Sequence, residues 1–256
     1  MKKRIFIISM FPDYFKSLTE FGVLGSALRN ERESEIEFEL ITLSLREFSP
    51  KDFKGVDDAP FGGGVGMVMR ADVLQNALLS GIVEKYQYKN IKEDLHIVCP
   101  SPRGTVWNHD ACVDFAQRNF SLSSQKDLVF ICGRYEGIDE RFLELYVDEF
   151  ISLGDYILTG GEIAVMAILD SSMRFVEGVL GNKLSAVDES FASGLLEYPL
   201  YTRPREFEGM TVPEAYLLGH HKKIEEHKLE TRLQMTKKYR PDLYQAYKEK
   251  NLGKKK

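Results

Sequence analysis

Between Gly133 and Gly161 the chain twice runs through an apolar segment that stops at a glycine loop, and this arrangement constrains the fold more than anything else in the sequence. Leu128-Val129-Phe130-Ile131-Cys132 is short, apolar and β-branched, the pattern of a strand covered on both faces. It breaks at Gly133, presents Arg134, Tyr135 and Glu136, and breaks again at Gly137. Ile138, Phe142 and Leu145 then recur at helical spacing up to Tyr146, and Val147–Ile151 reads as the next strand. Gly154, Gly160 and Gly161 bracket a second loop that carries Asp155, Tyr156 and Leu158. Strand-ending glycine loops in close succession are how an α/β sheet builds a ligand pocket at its carboxyl edge, so this stretch predicts the pocket.

The rest of the chain supplies the sheet. Arg4–Ser9 and Glu35–Leu43 read as strands, with a helix starting at Pro12-Asp13 and helical character over residues 23–30 between them. Residues 44–61 read as a long loop that leads into Phe61-Gly62-Gly63-Gly64-Val65-Gly66-Met67. That glycine run lacks the Gly-Lys-Ser/Thr of a P-loop, and it follows a loop rather than a strand, so it is no dinucleotide fingerprint. Ala71–Leu79 is predicted helical, and Leu95–Cys99 a strand that ends in a rigid turn, Pro100-Ser101-Pro102-Arg103-Gly104. Trp107–Arg118 is predicted helical with Asn108 as N-cap, and Ile163–Leu169 is the most apolar helix. Strand and helix alternating through residue 174 predict a mostly parallel sheet with helices on both faces.

At 256 residues the chain has room for a large domain and a small one. The longest apolar run, near Ile163–Leu169, is far short of a membrane span. Cys99, Cys112 and Cys132 are odd in number and form no CxxC pair, as expected of reduced core residues in a cytoplasmic protein. No His/Cys/Asp/Glu cluster has metal-site spacing, and no structural metal is expected. The net charge of −5 hides an asymmetry: from Lys222 to Lys256, twelve Lys/Arg stand against five Asp/Glu, a net +7 that leaves −12 for the rest. A basic end of this kind suits a polyanion. Composition shifts after Pro204, and helices are predicted from Lys222 to Tyr239 and again from Asp242, a small helical domain. The polar, small-residue stretch from Asn182 to Ser193 reads as a linker.

Seven segments in order, FGGGVGM, SPRG, CGRYEGIDER, GDYILTGGE, DSSMRFVEGVLGN, SFASGLLEYPLYTRP and RPDLY, closely resemble the bacterial tRNA (guanine-N1)-methyltransferase family, TrmD, from about Ile5 to Tyr244. The resemblance implies a knotted α/β fold of the SPOUT class, with a deep trefoil knot in a domain over residues 1–181. A mobile interdomain linker over 182–193 and a helical tRNA-binding domain over 194–256 follow from it. It implies a cytoplasmic homodimer with shared active sites. The implied reaction moves a methyl group from S-adenosyl-L-methionine to N1 of the guanine at tRNA position 37, beside the anticodon stem, with a second guanine at position 36.

Residue roles follow from the same resemblance. Cys99, Pro100, Ser101 and Pro102, then Gly133, Tyr135, Glu136 and Gly137, then Ser152, Leu153, Gly154, Asp155, Tyr156, Ile157, Leu158, Gly160 and Gly161 correspond to three loops that hold the donor bent. Glu136 would stand near the methionine end of the donor or an associated Mg²⁺. FGGGVGM and Tyr201-Thr202-Arg203-Pro204 are candidates for contacting the guanine and its neighbour. Guanine N1 carries a proton, so a carboxylate base is required, and charge building on O6 calls for a fixed cation. Arg174 matches the family's catalytic arginine. Where the family has an Asp before Ser-Phe, this chain has Glu189, preceded by Asp188. Either Glu189 acts from a side chain one methylene longer, or Asp188 takes over after a small backbone shift; the alignment favours Glu189. A second departure, Ala164 in place of a frequent Pro, touches a helix start.

Overall fold

The computed structural model describes residues 1–50, 55–181, 189–217 and 219–253. The chain divides into two compact units, Met1–Gly181 and Asn182–Lys256. In the first, strands β1 (Lys2–Ser9), β2 (Glu37–Ser44), β3 (Leu95–Val106), β4 (Asp127–Ile131) and β5 (Glu149–Ser152) form one sheet in the order β2-β1-β4-β3-β5. Every pairing in it is parallel.

Its core lies on both faces, as the unbroken apolar runs require. Ile5 and Ile7 of β1, Leu128 and Phe130 of β4, and Val98 of β3 face α1 (Gly22–Leu28), α3 (His109–Phe120) and α5 (Glu162–Met173). The alternate residues Phe6, Ile8, Val129, Ile131 and Ile97 face α2 (Ala71–Leu78) and α4 (Glu140–Tyr146). Period-two alternation sends neighbours to opposite sides, and here both sides are dry. Full burial of such a side chain is worth about 1.5–3 kcal/mol, so each of these strands is committed to the interior.

The departures from the sequence reading have local causes. The helix at Pro12 is a 3₁₀ turn (Pro12–Phe15) followed by a short α-helix, Lys16–Glu20. The chain turns extended at Phe21 before α1 begins. Helix α2 continues into a π-helical turn, Leu79–Glu84. Helix α3 starts at His109 rather than Trp107, because Asn108 Oδ1 accepts from the Ala111 amide and fixes the cap. The segment Pro100–Gly104 does not leave the strand as a turn; it is a bulge within β3, where the register against β5 shifts between Pro100 and Thr105. The two prolines cannot donate to the ladder. At Gly104 a side chain would collide with the backbone of Phe150 and Ile151, so only glycine allows β3 to rejoin β5. Past the bulge, Trp107 N donates to Ser152 O at 2.7 Å.

In the second unit, α6 (His221–Tyr239) and α7 (Pro241–Gly253) follow an exposed two-stranded ribbon, Glu206–Phe207 with Met210–Thr211. Residues 189–197 form a turn tied to α6. Leu196 N donates to Thr236 Oγ1 at 2.8 Å, Arg232 Nη2 to Ser193 Oγ at 2.7 Å, and Glu197 N to Ser190 Oγ at 3.0 Å. Residues 182–188 of the expected linker lie outside the described residues. Among the described residues no helix is long and apolar enough to cross a membrane.

Candidate active site

Strands β4, β3 and β5 are neighbours in the sheet, so the bulge of β3 and the loops after β4 and β5 converge at one carboxyl edge. They enclose a cavity of about 540 Å³, within the range of small-molecule sites. The bulge Cys99–Arg103 forms one wall and Gly133–Ile138 a second. Residues Ile151–Gly154 and Tyr156–Gly161 form the third, with Glu140 and Leu143 of α4 and Ala164 of α5 completing the lining. Every loop residue expected from the sequence lines this cavity except Asp155, which is exposed.

The walls are held by backbone contacts. Gly161 N donates to Gly133 O at 2.9 Å. A Cβ on Gly161 would stand 3.0 Å from Cys132 Cα and from Gly133 N, so a side chain here would crowd the second and third walls where they meet. The second wall is a tight turn, Gly137 N to Arg134 O at 3.2 Å, with Tyr135 left-handed at φ 58°. The glycine-rich segment after residue 60 runs directly behind it. Glu136 N donates to Met67 O at 3.0 Å and Met69 N to Gly137 O at 2.9 Å.

Side chains complete the frame. Glu162 opens α5 and is only 1% exposed. Its Oε1 accepts from Ser9 Oγ at 2.7 Å, and its carboxylate pairs with Arg134 at 3.0 Å. Arg134 also donates to Thr159 O at 3.1 Å and lies over the Phe11 ring at 4.6 Å. Arg103 Nη1 meets Glu140 Oε1 at 2.8 Å. Burial and the nearby Asp57 carboxylate raise the Tyr135 phenol above its ordinary range. Burial pushes the Cys99 thiol up to about 12 and Cys132 well above the ordinary value, so neither offers a thiolate at neutral pH. None of Cys99, Cys112 and Cys132 is in a disulfide.

Sequence reasoning passed over Arg103, Arg134, Glu140 and Glu162. All four lie inside the quoted motifs SPRG, CGRYEGIDER and GDYILTGGE, and a charged residue within a strand-ending loop was the available signal. Glu162, a lone acid placed before an apolar helix run, was another.

The remaining predicted residues stand elsewhere. Arg174 caps the C-terminus of α5, half-buried and outside the cavity wall. Glu189 is half-buried in the second unit, its carbonyl accepting from Ala192 N at 3.3 Å; Asp188 lies outside the described residues. Among the described residues, no three His, Cys, Asp or Glu side chains converge to hold a metal ion.

The cavity fits an adenosyl sulfonium. Pro100, Pro102, Tyr156 and Leu158 give apolar surfaces for a purine, the glycines bare their amides and carbonyls, and Glu136 and Glu140 offer negative charge. Comparison with known proteins agrees. The profile of the family described as tRNA (Guanine-1)-methyltransferase TrmD matches residues 3–246. A tRNA (guanine-N(1)-)-methyltransferase of Cupriavidus necator is 41% identical over 246 residues, 96% of this chain and 89% of that protein. One from Burkholderia vietnamiensis is 41% identical over 237 residues, 93% of this chain and 84% of that protein. The family's methyl donor is S-adenosyl-L-methionine, and its fold is the knotted SPOUT type. A parallel sheet with its pocket at the carboxyl edge, and matches that span nearly the whole length, place this chain in the tRNA (guanine-1)-methyltransferase TrmD family.

Proposed function

We propose that this chain methylates N1 of the guanine at position 37 of tRNA, followed by release of the demethylated donor, and that it works as a cytoplasmic homodimer. The observation that carries the reading is the three-walled cavity, whose lining includes every residue expected to hold the donor except Asp155. Three cysteines outside any disulfide suit the cytoplasm. Ile157, 82% exposed, with Tyr156 and Ile163 leaves apolar surface beside the cavity for a second copy to cover.

The bound donor supplies a methyl group already activated on a positive sulfur. What remains for the protein is to align the guanine, remove its N1 proton and balance the charge that moves to O6. Cys99–Pro102, Gly133–Gly137 and Ser152–Gly161 hold the donor bent, with Glu136 at its methionine end or at a Mg²⁺ bound there. Glu189, or Asp188 beside it, takes the N1 proton, brought by one protomer to the cavity of the other. Arg174 places its guanidinium at O6, where a fixed cation is worth most in a site without water. The linker over 182–193 carries the base toward the donor when tRNA arrives, and the exposed lysines of α6 and α7 hold its phosphates.

The test is mass mapping of the methylated nucleotide after the protein, S-adenosyl-L-methionine and unmodified tRNA transcripts are incubated together. One methyl group on the guanine at position 37 is expected, lost when that guanine or its neighbour at 36 is replaced. Methylation at another base, or at another atom of guanine, overturns the reading.

A further inference from the structure

We propose that Arg103 and Glu140 form a subsite for a zwitterionic amino-acid tail, the α-ammonium and α-carboxylate end of the donor. The inference rests on the donor reading of the cavity and adds to it a pair of specificity-determining residues.

Among the described residues two cations line the cavity, Arg103 and Arg134. Arg134 is committed: its guanidinium is held by the buried Glu162 and by Thr159 O. Arg103 is not buried in this way. Among the described residues its ion-pair partner is Glu140, on the facing wall, at 2.8 Å, and the two side chains are 44% and 56% exposed. A pair that open to water contributes little to folding. Its direction is nonetheless fixed, because the guanidinium carbon lies 4.2 Å from the centre of the Phe150 ring.

A positive and a negative group held side by side on a cavity wall are the complement of a zwitterion. A carboxylate entering between them takes the planar fork of Arg103, and the adjacent ammonium donates to Glu140. The ion pair opens and both of its members are repaired by the ligand, so neither charge is left unpartnered. A nucleoside that lacks the amino-acid end leaves the pair closed and gains nothing from it. The subsite therefore distinguishes the intact donor from adenosine-like molecules that fit the same apolar slot.

The experiment measures, by titration calorimetry, binding of S-adenosylhomocysteine and of 5′-methylthioadenosine, which lacks the amino-acid end, to the full chain and to Arg103→Met and Glu140→Gln. Wild type is expected to prefer S-adenosylhomocysteine by tenfold or more. Each variant should lose about tenfold in affinity for it, the scale of one charge-assisted hydrogen bond, and keep methylthioadenosine within about twofold. Variants that retain the preference overturn the inference, as do variants that lose both ligands alike, since the pair would then only shape the wall. A wild type that binds the two equally well overturns the subsite alone, whereas a wild type that binds neither overturns the donor reading beneath it.

Discussion

The guanidinium of Arg134 and the carboxylate of Glu162 meet at 3.0 Å, one from the loop after β4 and the other from the first turn of α5. Through Ser9 Oγ and Thr159 O the same pair also ties the end of β1 and the third wall of the cavity. Removing Glu162, the fully buried member, strands the guanidinium beside it, at a cost of about 3–5 kcal/mol. Glu162→Ala is therefore expected to lower stability by that amount in urea unfolding and to weaken S-adenosylhomocysteine binding. Glu162→Gln, which keeps the hydrogen bond from Ser9, should fall between it and wild type. Wild-type stability in Glu162→Ala would show that the pair is not a brace.

Gly161 tests how closely the walls must approach. An alanine there places its Cβ 3.0 Å from two backbone atoms, Cys132 Cα and Gly133 N, neither of which can rotate away. Overpacking of this kind costs about 1–3 kcal/mol, and the strain falls on the cavity itself. Gly161→Ala should weaken donor-analogue binding by about tenfold or more, while Gly181→Ala, whose Cβ meets nothing within 4 Å, leaves it unchanged. Equal affinities in the two variants would refute the close-approach argument.

Much of this frame is legible without coordinates, for a physical reason. A strand buried on both faces must be apolar at every position, as Ile5–Ile8 and Leu128–Cys132 are, and a loop that bares its backbone to a ligand needs glycine. Pairings between side chains are not encoded in any period. Nothing near Arg134 in the sequence points to Glu162, and nothing near Arg103 points to Glu140; both pairs exist because the sheet order sets β3, β4 and β5 side by side. The bulge at Pro100–Gly104 reads as a turn for the same reason, since the strand it rejoins lies farther along the chain.

Lys3 gives the fold a pH dependence of known sign. Its side chain is 1% exposed at the edge of β1, with Nζ donating to Ser124 Oγ and Lys126 O. Burial lowers its pKa from 10.5 to about 8, against the opposing pull of Asp127. Between those values the unfolded chain holds a proton that the folded chain has released, so stability from this group rises with pH. The penalty is complete below about pH 8 and relieved by 10.5. The neutral amine keeps its donors, so the hydrogen bonds survive the change. Measured against Lys3→Met, wild-type stability should improve between pH 7 and pH 10, by at most about 3 kcal/mol. A difference that stays flat or falls would contradict the assignment.

The basic end of the chain predicts a salt dependence. Lys237 and Lys238 are exposed at the end of α6. If they contact phosphates, Lys237→Ala with Lys238→Ala should weaken tRNA binding at all sequences alike. The slope of log affinity against log salt should flatten by about two. Binding of S-adenosylhomocysteine, confined to the first unit, should not change. An unaltered slope would take these lysines out of the interface.

The identity of the base can be read from how a variant's defect depends on pH. Glu189→Gln cannot accept the N1 proton, and loss of a general base costs about 10²–10⁴-fold in rate. As pH rises, solvent itself ionises a growing share of the guanine, so this deficit should narrow in single-turnover assays. Arg174→Ala behaves differently, because the charge on O6 needs its partner whether the proton leaves to a carboxylate or to water. Its deficit should persist across the same range. Donor-analogue affinity should hold in both, since neither residue lines the cavity. If Asp188 is the base, the narrowing deficit appears in Asp188→Asn and Glu189→Gln turns over normally. A Glu189→Gln deficit that stays constant with pH would assign that side chain to positioning rather than to proton transfer.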